Sequence, residues 1–198
     1  MNWLALLLML AAPFWEAEPP EKWSDLELAE LLNDSPWAQA ASGPGRNGMP
    51  VQVYLATAAP IRKAEQEVER RARLKRKPGA EPAEDPLAGE YRAWMEENRA
   101  TQIILAIRVR RREDFSDQQE VSRMEKETVM RVGRRKIQIT GHFPPYGSDP
   151  YLRLAFPREV ELKDKKLIFE LYVPGVAGPY RVVEFNLKDM VLAGRLEL

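Results

Sequence analysis

Hydrophobic and polar positions change their period several times along this chain, and each change predicts an element. The chain opens on the apolar run Trp3-Leu4-Ala5-Leu6-Leu7-Leu8-Met9-Leu10-Ala11-Ala12, closed by Pro13 and followed by an acidic, proline-rich stretch from Glu16 to Glu21. A run of roughly ten residues is half of what spans a bilayer, so it reads as an export leader and predicts no transmembrane span. Residues 1–17 are read as this signal-like segment, although Trp15-Glu16-Ala17 is a poor small-x-small cleavage site and no Lys or Arg precedes the run. The competing reading is a buried or amphipathic N-terminal helix, for which the run lacks a polar face.

Beyond Pro19-Pro20 the spacing becomes helical. Ser24 and Glu27 stand three apart ahead of Leu28, Leu31 and Leu32, which predicts a capping box, each side chain satisfying the other's orphan backbone N–H. Trp23 is placed to staple against Leu28, and Pro36 disfavours helical geometry at Ser35. Trp23 and Trp37 are expected to pack against the main domain, since a helix this short needs tertiary support. Ala41 to Pro50 reads as a linker, which makes residues 18–48 a helical arm with its linker and residues 49–198 one domain.

Within that domain Val51 to Leu55 predicts a strand. Pro60 opens a helix striped by Ile61, Ala64, Val68 and Ala72, with Glu67–Arg71 and Glu69–Arg73 as i,i+4 pairs. It should end by Lys77-Pro78-Gly79, ahead of a second linker from Ala80 to Pro86. Leu87, Tyr91, Trp94 and Met95 mark another amphipathic helix. Ile103 to Val109 has the continuous apolarity of a buried strand, and the charged segment from Asp117 to Thr128 suits a helix. Strict alternation at Lys136–Thr140 and Leu152–Phe156 predicts strands. Val160–Leu162 and Leu167–Val173 flank a polar turn as in a hairpin, Pro174 to Pro179 makes another turn, and Val183, Phe185 and Leu187 share the face of a last long strand. The pattern is α+β: an antiparallel β-meander with helices mainly from the N-terminal half.

Composition narrows the chemistry. The chain has no cysteine, which removes disulfides, thiol nucleophiles, Cys-type zinc sites and iron–sulfur clusters. Thirty basic residues balance thirty acidic ones, so overall charge steers no partner. The single histidine, His142, argues against a transition-metal site, and no D-x-D-x-D-G loop, phosphate loop or G-x-S-x-G elbow occurs. We therefore expect no metal and no cofactor. The most site-like loop runs from Thr140 to Pro150 and holds His142, Tyr146, Ser148 and Asp149; the alternative to a site is a rigid inter-strand loop. Basic clusters are the electrostatic signal: Arg70, Arg71, Arg73, Lys75, Arg76 and Lys77, then Arg108, Arg110, Arg111 and Arg112, with Arg134-Arg135-Lys136 adding three more. They suit an anionic polymer or lipid headgroups, or else they are solvated helix and strand ends.

The segment Trp23-Ser24 with Leu31-Leu32-Asn33-Asp34-Ser35-Pro36-Trp37-Ala38, set just after a leader, resembles exported proteins of soil bacteria of the acidobacterial type. So does the close, Phe185-Asn186-Leu187-Lys188-Asp189-Met190 with Gly194-Arg195-Leu196-Glu197-Leu198. The resemblance implies an envelope location and carries over no catalytic residue. The expectation is an extracytoplasmic, non-enzymatic binding or structural protein of the cell envelope, periplasmic or secreted, whose partner is an envelope protein or anionic polymer and not nucleic acid. The alternatives are a peripheral binder working through the basic clusters and a carboxylate-based hydrolase.

Overall fold

The computed structural model describes residues 12–43, 49–76, 85–109, 115–147 and 149–198. After a short turn of helix α1 (Phe14–Ala17), α2 (Asp25–Asn33) starts at the expected capping box: Glu27 N donates to Ser24 Oγ at 3.2 Å and Ser24 N to Glu27 Oε2 at 2.7 Å. Then come β1 (Ala38–Ala41), β2 (Val51–Leu55), α3 (Ala59–Leu74), α4 (Pro86–Asn98), β3 (Gln102–Arg108) and α5 (Gln118–Glu127). The rest is strand: β4 (Val129–Val132), β5 (Arg135–Gln138), β6 (Gly141–Phe143), β7 (Tyr151–Pro157), β8 (Lys166–Tyr172), β9 (Tyr180–Asn186) and the small hairpin β10 (Val191–Leu192) with β11 (Arg195–Leu196). The fold is α+β, antiparallel throughout, with its helices mostly in the N-terminal half. Among the described residues no helix is long and apolar enough to cross a membrane.

One sheet has the order β1-β2-β3-β7-β6, the other β5-β4-β8-β9. They join at both sides. On one side β5 continues through Ile139 and Thr140 into β6 and so changes sheets, Thr140 N donating to Ala155 O at 2.8 Å. On the other, Ser42 and Val182 exchange two backbone hydrogen bonds of 3.1 and 2.9 Å. Between the sheets lie inward rows such as Leu55–Leu105–Leu154 and Met130–Phe169–Val183. Phe156 of one sheet meets Phe169 of the other edge-on at 5.2 Å, and Phe169 meets Phe185 at 5.9 Å, an arrangement that adds about 1 kcal/mol per pair to the burial of the rings.

The N-terminal segment is built into this body. Trp23 and Trp37 are both buried, as the short helix requires, and Trp37 Nε1 donates to Glu197 O at 2.8 Å. Ala41, expected to open a linker, instead closes an edge strand: residues 38–41 pair along β2, and their alanines suit a tight site, Ala38 and Ala41 being fully buried. The expected hairpin between Val160–Leu162 and Leu167–Val173 does not form. Strand β8 is flanked by β4 and β9 instead, Leu162 points to solvent, and Asp164 Oδ2 accepts from Glu161 N at 2.9 Å to fold the connection as a loop. The non-local partner wins because β4 carries buried Met130 and Val132 to the core, whereas Leu162 brings no burial.

Candidate functional site

Register across the five-stranded sheet explains where polar groups converge. Ala38, Tyr54, Ala106, Arg153 and Phe143 face one another in a single row across all five strands. With small alanines at 38 and 106, the row leaves room above the sheet for Tyr54 and Arg153. Helices α3 and α4 cover it: Glu65 of α3 accepts from Tyr54 Oη at 2.7 Å, Tyr91 of α4 lies over Arg153, and Tyr91 and Trp94 pack edge-on against Phe143 at 5.2 and 5.4 Å.

Arg153 is 4% exposed, and its guanidinium is the centre of the cluster. It donates from Nη2 to Asp149 Oδ2 at 2.7 Å and from Nη1 to Tyr151 O at 3.3 Å. The rings of Tyr91, Tyr146 and Tyr151 surround it at 4.4, 5.3 and 5.9 Å from Cζ, a cage of the kind that favours a cation through the ring quadrupole. Burial works against its charge, but Tyr91 and Asp149 outweigh that, so its pKa rises. Glu65 is only partly covered as a residue, yet burial of its carboxyl pushes its pKa up, with Arg153 and the Tyr54 hydrogen bond pulling the other way. Burial also raises Tyr54, Tyr91 and Tyr151, and pushes Tyr146 up to about 12.

The expected site loop is therefore divided. Tyr146 and Asp149 reach Arg153, while His142 lies in register with Leu154 on the opposite face, its Nδ1 3.2 Å from Glu125 Oε1 of α5; Ser148 lies outside the described residues. His142 and Asp149 are not brought together, because alternation along β6 turns His142 away from the Arg153 side of the sheet, where Asp149 lies. The sequence pattern placed Tyr54, Tyr91 and Arg153 in elements but marked none of them, nor Glu65, as a site residue. Arg153, a charged residue inside an otherwise apolar buried strand, was the available signal.

Half of the first basic cluster is paired with acids within the fold. Glu67, 3% exposed, accepts from Arg70 Nε at 2.7 Å and Arg71 Nε at 2.6 Å; Arg71 Nη1 also reaches Asp25 Oδ1 at 2.6 Å, and Arg73 Nη2 reaches Glu69 Oε1 at 2.6 Å. The Arg70 hydrogen bond, with that of Arg71, holds the Glu67 carboxyl down to about 2 against the desolvation of the site. Lys75, Arg76 and Arg108 are exposed; Lys77, Arg110, Arg111 and Arg112 lie outside the described residues.

A second tyrosine–arginine group sits where α5 meets the four-stranded sheet. Arg123 donates to Glu127 Oε1 at 2.8 Å and to Tyr172 Oη and Tyr180 Oη at 3.2 Å each, while Tyr172 Oη donates to Glu120 Oε2 at 2.6 Å. It borders a shallow groove of about 450 Å³ along α5 that includes Glu127; a second groove, of about 440 Å³, lies between Trp15, the start of α3 and the β10–β11 hairpin and includes Glu197. Each groove holds one carboxylate, whereas glycoside hydrolysis uses two. Among the described residues no group of three or more His, Cys, Asp or Glu is placed to hold a metal ion. Compared with known proteins, the chain matches no protein-family profile, no curated protein and no solved structure.

Proposed function

We propose that this chain is an extracytoplasmic, non-enzymatic binding or structural protein of the bacterial cell envelope, of the same type as the exported soil-bacterial proteins that its ends resemble. The observation that carries the non-enzymatic part is the internal pairing of the charged groups of the Arg153 cluster, although Arg153 Nε and Tyr91 Oη are buried there without a hydrogen-bond partner among the described residues. Its cation is taken up by Asp149 and three tyrosine rings, and Glu65 by Tyr54, so the convergent polar groups pin α3 and α4 to the sheet. The apolar run from Trp3 to Ala12 supports export.

A second reading is peripheral attachment to an anionic surface. The exposed cations Lys75, Arg76 and Arg108 favour it, and the pairing of Arg70, Arg71 and Arg73 with acids of the same chain weakens it. Fractionation of the host cell, followed by a high-salt wash of the envelope, tests both. Recovery outside the cytoplasm in a salt-resistant state is the expected result; release by salt selects the electrostatic reading, and recovery in the cytoplasm overturns export.

A further inference from the structure

The junction between the apolar leader and the folded body is packed, and that bears on where a leader can end. Pro13 O accepts from Glu16 N at 2.9 Å and Ala17 N at 3.1 Å, which turns residues 14–17 back onto the domain. The Phe14 ring meets Trp15 at 4.9 Å and Trp23 at 5.6 Å, and Trp15 meets Trp37 at 5.7 Å, all edge-on. Trp23 Nε1 donates to Glu18 O at 3.1 Å. Trp37 is in turn tied to Glu197 O, and Trp15 also lines the groove beside Leu192 and Ala193. Phe14 and Trp15 thus close the same aromatic cluster that holds the first strand against the C-terminal hairpin.

We propose that the folded protein keeps every residue from Phe14 onward, so that a leader is removed ahead of Phe14 or stays attached. This inference rests on the export reading for its biological sense and on the aromatic packing for its content. A cut after Ala17 hydrolyses the Ala17–Glu18 bond, water giving a carboxylate on the leader and an amine on Glu18. The shortened chain then loses both rings and bares the edges of Trp23 and Trp37 that they cover. Cleavage at that bond takes place on an unfolded chain, and its consequence is a mature protein without two rings that pack against its core.

Two measurements test it. The intact mass of the folded protein, taken from whichever fraction of the natural host contains it, is expected to include Phe14 and Trp15; a stable chain beginning at Trp15 or later overturns the inference. In the full chain, Phe14→Ala with Trp15→Ala is expected to lower Tm by about 5 °C or more, up to loss of the folded state. Glu16→Ala leaves Tm unchanged, and Trp15→Phe recovers most of the loss. An unchanged Tm in the double variant overturns the inference wherever the protein resides, whereas cytoplasmic recovery of an intact chain overturns export alone.

Discussion

Replacing Arg153 by methionine tests the reading of the site as a structural clamp. The substitution keeps the apolar stem and removes the charge, leaving Asp149 without the partner it meets at 2.7 Å. Removing one member of a buried ion pair costs about 3–5 kcal/mol, and the cage over Tyr91 adds about 1 kcal/mol. Asp149 keeps a quarter of its side-chain exposure and is rehydrated in the variant, which lowers the total to about 3 kcal/mol, or a fall in Tm of about 6–12 °C. The loss also depends on pH. Arg153 pulls down the Glu65 pKa, which burial already raises. Without Arg153 that value climbs further, so the variant is penalised more as pH rises from 4 to 7 and Glu65 must ionise against its surroundings. Urea unfolding followed by tryptophan fluorescence, at both pH values and with Asp149→Asn and the double variant, provides the numbers. We expect the double variant to lose about 1–2 kcal/mol less than the sum of the singles. A single-variant loss below about 1 kcal/mol, or strict additivity, refutes the clamp.

Other consequences are simpler to measure. Because Arg70 and Arg71 lower the Glu67 pKa to about 2, Glu67→Gln is expected to reduce Tm at pH 6, and the difference should fade as acid takes the pH from 4.5 toward 2; a pH-independent gap contradicts the pairing. Tyr54, Tyr91, Tyr146, Tyr151 and Tyr172 are all held above the ordinary phenol value. The folded protein is therefore expected to show few tyrosinates by absorbance at pH 10.5 and to lose stability above pH 10, where unfolded phenols shed protons first; four or more tyrosinates in a folded sample count against it. Ala193, the one described non-glycine residue at positive φ (+47°), is expected to gain about 0.5–1 kcal/mol on change to glycine, and an unchanged or lower urea midpoint would contradict the strain.

Local signals carried much of the fold. Ser24 and Glu27 named their own helix start, the three-and-four spacing of Leu87, Tyr91, Trp94 and Met95 placed α4, and the alternation from Val183 to Phe185 placed β9. What escaped depends on partners far away in sequence. Ala38–Ala41 has little strand propensity and is a strand because Val51–Leu55 lies beside it. Val160–Leu162 has the propensity but lost its place to β4. The site followed the same rule. Tyr146 and Asp149 were visible as loop polar groups, yet Glu65, Tyr91 and Arg153 come from three elements whose meeting only the sheet register decides. Likewise the pairs Glu67–Arg71 and Glu69–Arg73 were legible from their spacing, whereas nothing in the run of arginines in α3 pointed to Asp25, which lies 46 residues from Arg71.

The seam between the two sheets has a further meaning for how the chain comes into being. It is closed on one side by the Ser42–Val182 bridge, and the same N-terminal segment is tied by the Trp37 indole to Glu197, 160 residues away. A nascent chain cannot complete these contacts until Glu197 has left the ribosome, and pairings of such long range are slow to form. Until then β1 lacks the partners that finally hold it. The delay leaves cooperative folding of both sheets until the chain through Glu197 has been made, in whichever compartment that folding takes place.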